Sequence, residues 1–300
     1  MTRRLLAIVV LLGAFATAHL AFVQPWFMRW GATVHEMQAV WPGDELSADA
    51  PSVATRAVTI DAPADKVWPW IAQLGQERAG WYSYRLLENL VGCRMPRVHH
   101  IVAGFQERRV GDKIWMYPAD RLGGVGHGVV VRLDPERALV MATVPIGSTR
   151  KAPAATLSFL LDPIDGATTR FIMRSRGPAP ASRGQWLFDR LVFRPAHFVM
   201  ERRMMLTIKA LAEGHDPSEV PDLLQAALWL VMGLLSTGSL VAALFVTHWR
   251  RPLAVVLTGA TALAIAMLAQ PPLVFTGVLV GAVIGLALPW TPFREDLNAA

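Results

Sequence analysis

The chain has 300 residues, is 53% hydrophobic and only 17% charged, and has a mean hydropathy of +0.35. Soluble domains carry about a quarter charged residues, so part of this chain belongs in lipid. The net charge of +6 is nearly all scattered Arg, with no basic block interleaved with aromatics, which argues against a nucleic-acid surface. Cys93 is the only cysteine, so neither an intrachain disulfide nor a cysteine-based zinc site can form.

In chain order, an apolar run over residues 5–23 follows Arg3 and Arg4. It is close to the roughly 20 residues that a helix needs to cross a bilayer core. Residues 1–23 read as an uncleaved anchor, with a signal peptide cut near Ala16-Thr17-Ala18 as the alternative. Residues 24–51 read as a linker. Trp26 and Trp30 fall just beyond the run, where amphipathic rings favour the membrane interface.

Residues 52–214 read as one domain of ordinary size. Val58 and Ile60 share one face of a first strand, and Ala57 and Thr59 take the other. Asp61-Ala62-Pro63 stops it, with Asp61 placed to cap the next helix. Val67, Trp70, Ile71 and Leu74 then form one apolar helical stripe, with a kink expected at Pro69 and a stop at Gly75. A second short helix is expected over residues 84–91.

Strands follow over residues 113–117, 128–133 and 138–144, and Leu157, Phe159 and Leu161 alternate with Thr156 and Ser158. Asp165-Gly166 marks a hairpin. Its return strand puts Phe171 and Met173 on one face and Arg170 and Arg174 on the other. Arg170, Arg174 and Arg176 read as a solvated outer face, with a belt for anionic lipid headgroups as the alternative. A long helix over residues 185–212, interrupted at Pro195, places Met200, Met204, Ile208 and Leu211 on one side.

Three further apolar runs cover residues 223–246, 253–269 and 273–290, a three-helix transmembrane bundle before a tail over 291–300. Trp229, Trp249 and Trp290 fall near their ends. The positive-inside rule, applied to Arg3, Arg4, Arg250, Arg251 and Arg294, places both termini in the cytoplasm and residues 24–222 outside. None of the last three runs contains Asp, Glu, Lys or Arg, which speaks against an ion pathway. Gly277, Gly281 and Gly285 form a doubled G-x-x-x-G that reads as packing within the bundle, with homo-oligomerisation as the sharper alternative.

Strand, two helices, antiparallel meander and long final helix make an α+β order. With it go Ile60-Asp61-Ala62-Pro63-Ala64-Asp65-Lys66-Val67-Trp68, Met200-Glu201-Arg202-Arg203-Met204-Met205 and the aromatic segment Arg78-Ala79-Gly80-Trp81-Tyr82-Ser83-Tyr84. In these features residues 54–214 resemble the START/Bet v1-like superfamily (SRPBCC, the polyketide cyclase and lipid-transport group), in a membrane-associated bacterial branch. The resemblance implies a helix-grip fold, an antiparallel curved sheet around a long C-terminal helix, with an apolar cavity between them. It implies no single activity; together with the apolar runs, the expectation is a multi-pass protein of a bacterial cell membrane. The three C-terminal runs are additions to that pattern.

Trp70, Tyr82, Tyr84, Trp115, Phe159, Phe171 and Met204 are the expected cavity lining. The expected ligand is a membrane lipid or hydrophobic small molecule, and no cofactor is implied. A cyclase or hydratase reading would use Tyr82, Tyr84, Glu88 (four residues after Tyr84) or a His as acid or base. In a third reading the domain is an interaction module of a membrane complex. Adjacent His99 and His100 would point to opposite faces of a strand, so with Glu88, Glu107 and His127 they read as ordinary histidines and carboxylates before a metal site. Gly123-Gly124-Val125-Gly126-His127-Gly128 runs into a strand and not a helix, so it reads as a loop and not a phosphate cradle.

Overall fold

The computed structural model describes residues 2–121, 126–143 and 155–288. The glycines and valine at 123–125, Trp290 and Arg294 therefore lie outside the described residues. The chain divides into two units, Phe15–Ser218 and Met1–Ala14 with Glu219–Ala300.

In the first unit, β1 (Ser52–Ile60), β2 (Lys113–Trp115), β3 (His127–Asp134), β4 (Ala138–Thr143), β5 (Ala155–Pro163) and β6 (Thr169–Gly177) form one antiparallel sheet. Its order is β1-β6-β5-β4-β3-β2, a meander to which β1 is added beside the last strand. Nine residue pairs join β1 to β6, from Ser52 opposite Gly177 to Ile60 opposite Thr169. Period-2 alternation sorts the side chains. Leu139, Phe159 and Met173 form one cross-strand row, and Leu161, Phe171 and Val58 form another.

That inner face packs on α4 (Ala64–Ala72) and α7 (Arg194–Ala212). Val67, Trp70, Ile71 and Leu74 come from the α4 side, and Met204, Met205, Ile208 and Leu211 from α7. Each fully buried Leu, Ile or Phe contributes about 1.5–3 kcal/mol, so this layer dominates the unit's stability. Asp61 does not cap α4. The helix starts after an extended Pro63 with no side-chain cap, and the Asp61 amide donates instead to Glu213 at 2.8 Å.

Pro69 lies inside α4 with no widened turn, whereas two other prolines follow a π turn. α1 (Thr2–Ala18), a π turn (His19–Val23) and α2 (Gln24–Met28) run on as a single helix, and Pro25 follows the π turn. Likewise α6 (Arg183–Phe188), a π turn (Asp189–Phe193) and α7 are continuous, with Pro195 in the first turn of α7. The expected interruption at Pro195 is therefore absorbed. A widened turn makes room for a ring that lacks an N–H and would clash with the preceding turn.

Residues 24–51 are not a free linker. They cross the outer face of the sheet, with α3 (Val34–Gln38) at their centre, and there Ala32 and Trp41 pack against Ala57, Ala138, Leu160 and Ile172. Gly43, at φ +97°, brings its backbone so close to Val140 and Ser158 that a Cβ would lie 2.6 and 2.7 Å from their side chains. The solvated face expected for Arg170, Arg174 and Arg176 is thus covered by this strap.

In the second unit, α8 (Val220–Phe245) and α9 (Arg250–Ala269) are each long and apolar enough to cross a membrane, as is the helix Arg3–Met28. α10 (Leu273–Ala287) has 15 residues, about 22 Å at 1.5 Å per residue, short of a core of roughly 30 Å. Gly259 of α9 lies against Ser236 of α8 and Val283 of α10, whereas a Cβ at Gly277, Gly281 or Gly285 would meet nothing within 4 Å. The close approach within this unit therefore runs through Gly259, and the doubled G-x-x-x-G is not packed.

Candidate functional site

α4 ends at Ala72 with Gln73 as its C-cap, before the expected stop; Gly75 (φ +124°) instead pairs with Gly80 in a tight β-bridge, which turns the chain back towards the sheet. Trp81 Nε1 donates to the Trp115 carbonyl at 3.0 Å and fixes the turn to β2. The next residue, Tyr82, has φ +52°. For a bulky side chain that is a strained conformation, costing about 1–3 kcal/mol. It directs the ring inward, edge-on to Trp70 with centroids 6.1 Å apart. Its hydroxyl oxygen accepts from Gln73 Nε2 at 2.6 Å. Gln73 also donates to His100 and accepts from Val102 and Gln106, and it is fully buried. Burial pushes the Tyr82 phenol far up, and the Gln73 bond opposes it only in part.

Two residues on, Tyr84 precedes α5 (Arg85–Leu90), and its carbonyl accepts from the Glu88 amide at 3.0 Å. The Cys93 amide in turn donates to the Glu88 carbonyl at 3.0 Å. The Cys93 thiol is hydrogen-bonded to Tyr117 just beyond β2, and Glu88 is close enough to raise both groups. Burial alone pushes the Glu88 carboxyl up to about 7. Burial and then the Glu88 charge push the Cys93 thiol up, against weaker opposition from Tyr117 and Arg121. A raised thiol is a poor nucleophile. A carboxyl near 7 is poised to give or take a proton at neutral pH.

The expected lining separates into two groups. Trp70, Tyr82, Phe159, Phe171 and Met204 come together in one apolar core, where Phe159 and Phe171 have no solvent exposure. Tyr84 is buried outside that core with the Arg203 guanidinium 5.8 Å from its ring centroid. Trp115 is half-buried on β2, 4.5 Å from the His127 ring. Tyr84 is the non-helical N-cap of α5, and Glu88 lies within that helix. A cleft of about 260 Å³ lies in the other unit, lined by Gly238, Ser239, Ala242, Arg251, Val255 and Leu286 among others. His99 donates to Asp216 at 2.7 Å, and among the described residues no three His, Cys, Asp or Glu side chains are grouped to hold a metal.

Two clusters were not singled out from the sequence. In the first, Arg170 makes a two-pronged contact with Glu36, from Nε at 2.6 Å and from Nη2 at 3.0 Å. Glu36 closes a capping box with Thr33 at the start of α3. Burial raises the Glu36 carboxyl, but Arg170 and Thr33 outweigh it and the net direction is down. The signal was readable as Thr33-x-x-Glu36. In the second, Arg56 of β1 pairs with Glu201 of α7 in a buried contact, and His197 lies 3.0 Å from the other carboxylate oxygen. Arg56 also donates to the Phe27 carbonyl at 2.8 Å and sits over the Phe198 ring.

No protein-family pattern and no curated protein matches this chain. Solved structures to which it is similar include a protein from Thermobifida fusca, at 12% identity over 55% of this chain and 97% of that chain, with a TM-score of 0.37. Protein MLL2253 from Mesorhizobium loti is similar at 15% identity over 55% and 100%, TM-score 0.32. CalU16 from Micromonospora echinospora is similar at 17% identity over 55% and 76%, TM-score 0.31. Likenesses of this size carry no argument about fold or activity, so the functional reading rests on the residues.

Proposed function

We propose that this chain is a membrane-anchored binding protein of a bacterial cell membrane. Its domain is of helix-grip type and holds a lipid or hydrophobic small molecule between the sheet and α7. One observation carries the reading: Met141, Met173, Met204 and Met205 all meet in that layer, beside Phe159 and Phe171. Methionine is unbranched and polarizable, so a layer built on it re-forms around a guest more readily than a jigsaw of branched side chains. Burial at about 25 cal/mol per Å² supplies the driving force. The Tyr82 hydroxyl supplies a polar handle inside the layer.

Native mass spectrometry of the detergent-purified full-length chain, with extraction of whatever stays bound, tests this. A defined apolar adduct is expected, weakened in Met141→Ile with Met204→Ile, which keeps the volume and removes the adaptability. A protein that carries no adduct, and takes up none from added lipid or apolar ligand, would overturn the reading.

The Glu88 carboxyl favours a second reading, acid–base chemistry of cyclase or hydratase type on the bound molecule. In that case Glu88→Gln abolishes turnover and leaves the adduct in place.

A further inference from the structure

The segment Arg183-Gly-Gln-Trp-Leu-Phe-Asp-Arg-Leu-Val-Phe193, which forms α6 and its π turn, faces its large apolar side chains outward. Leu187, Phe188, Val192 and Phe193 are 48%, 58%, 52% and 52% exposed. Four such side chains on three turns are badly placed for water, since each gains about 1.5–3 kcal/mol from burial. Arg183, at the start of the segment, is exposed, while the two charges among the apolar residues are drawn in and hold partners. Asp189 accepts from Arg194 Nε at 2.5 Å, and the Arg190 guanidinium lies 4.8 Å from the Trp186 ring centroid. Apolar groups outward, with Asp189 and Arg190 partnered behind them and Arg183 left at the segment's end, is an arrangement suited to a hydrocarbon boundary.

What the segment is docked on identifies the occupant. His19 Nε2 donates to the Arg190 carbonyl at 3.2 Å, and Arg190 Nη1 donates to Gln24 at 3.4 Å. Both partners belong to the helix Arg3–Met28, whose Phe22 and Trp26 are also exposed. Its 26 residues rise about 39 Å, against a hydrocarbon core of roughly 30 Å. Counting about 20 residues on from Arg4 reaches Gln24. The segment is thus held at the level where this helix leaves the hydrocarbon, and its apolar face continues that of Phe22 and Trp26.

We propose that Arg183–Phe193 is an interfacial segment that embeds Leu187, Phe188, Val192 and Phe193 in the lipid leaflet around the end of the first helix. The proposal rests on the membrane anchoring in the proposed function. Because α7 continues directly from the segment, the helix that covers the core starts at the leaflet, which gives an apolar ligand a route that avoids water.

The full-length chain on a Cys93→Ser background is placed in phosphatidylcholine–phosphatidylglycerol nanodiscs, and nitroxide labels are attached in turn at Phe188→Cys and Val192→Cys. Val10→Cys in the first helix and Ile164→Cys in the β5–β6 hairpin serve as controls. The expected result is that oxygen collisions exceed those of a water-soluble nickel complex at 188 and 192 as they do at 10, and the reverse at 164. Water-like values at 188 and 192 with a lipid-like value at 10 overturn this proposal and spare the anchoring. A water-like value at 10 overturns both. Shielding of 188 and 192 from both reagents means that polypeptide covers the face, and this too overturns the proposal. A photoreactive benzophenone side chain at Phe193, with Cys93 intact, gives an independent reading: cross-linked lipid is expected, and protein-only cross-links count against it.

Discussion

Asp44 accepts a hydrogen bond from Arg174 Nε at 2.7 Å, with both side chains buried, and this pair pins the strap to the outer face of β6. Arg174 further donates to Thr55 at 2.7 Å, and Asp44 accepts from the Trp41 amide at 3.1 Å. Asp44→Ala would leave a buried guanidinium without its counter-charge. Breaking one side of a buried pair costs about 3–5 kcal/mol. Denaturant unfolding of the full-length protein should show a loss of that size. The companion variant Asp44→Leu with Arg174→Met should recover part of it, because the buried Arg174 charge is removed with its partner and only Arg176, 3.4 Å from Asp44, loses a counter-charge.

Gly43 is a backbone requirement of the same strap. At φ +97° an L side chain is strained, and its Cβ would press on Val140 and Ser158 of the sheet. Gly43→Ala should lower stability by about 1–3 kcal/mol. Gly111 has a similar φ of +96° and open space around it, so Gly111→Ala isolates the conformational part. The excess loss at position 43, read in a thermal melt, measures the close approach of strap and sheet.

The Glu88 carboxyl is raised to about 7 by burial, so the folded protein prefers its neutral form. Its contribution to stability is full below the ordinary carboxyl value of 4.5 and is lost as pH rises through about 7. Glu88→Gln should therefore be near-neutral at pH 4 and stabilising at pH 8, by at most about 3 kcal/mol at 1.36 kcal/mol per pKa unit. Unfolding midpoints of both proteins across that range decide it. A constant difference would mean that Glu88 is solvated.

The strands and the hairpin at Asp165 were legible because one face of each strand is buried and period-2 alternation reports it directly. Phe171 and Met173 were placed on the inner face for that reason. The role of the opposite face was not legible. Arg170, Arg174 and Arg176 look solvated until their partners are known, and those partners, Glu36 and Asp44, lie in a stretch with no strong periodicity. Long-range ion pairing leaves no local pattern. The expected lining divided for a related reason: Trp115 sits on a three-residue strand beside His127, where alternation is too short to fix a face. Glu88 was found by its spacing from Tyr84, but its shifted carboxyl depends on burial that only the fold supplies.

The Arg56–Glu201–His197 cluster gives a pH window that can be worked out by sign. The His197 side chain is 44% exposed, and Glu201, 3.0 Å away, outweighs the desolvation that opposes its cation, so the net direction is up from 6.5. Burial likewise disfavours the Glu201 anion, but Arg56 and then His197 outweigh it, and the net direction is down from 4.5. A raised His stabilises the fold fully below its unfolded value and loses that contribution as pH climbs through the folded one. A lowered carboxyl stabilises fully above its unfolded value and fails as pH falls through the folded one. Both contributions are therefore complete between about 4.5 and 6.5. His197→Ala should destabilise most in that window and progressively less on the alkaline side, as the imidazole loses its proton in the parent protein. In Glu201→Gln the His197 titration, followed by NMR of histidine-labelled protein, should move down, since the group that held it up is gone. A His197 titration unchanged by Glu201→Gln would separate the two side chains and leave Arg56 as the only counter-charge for Glu201.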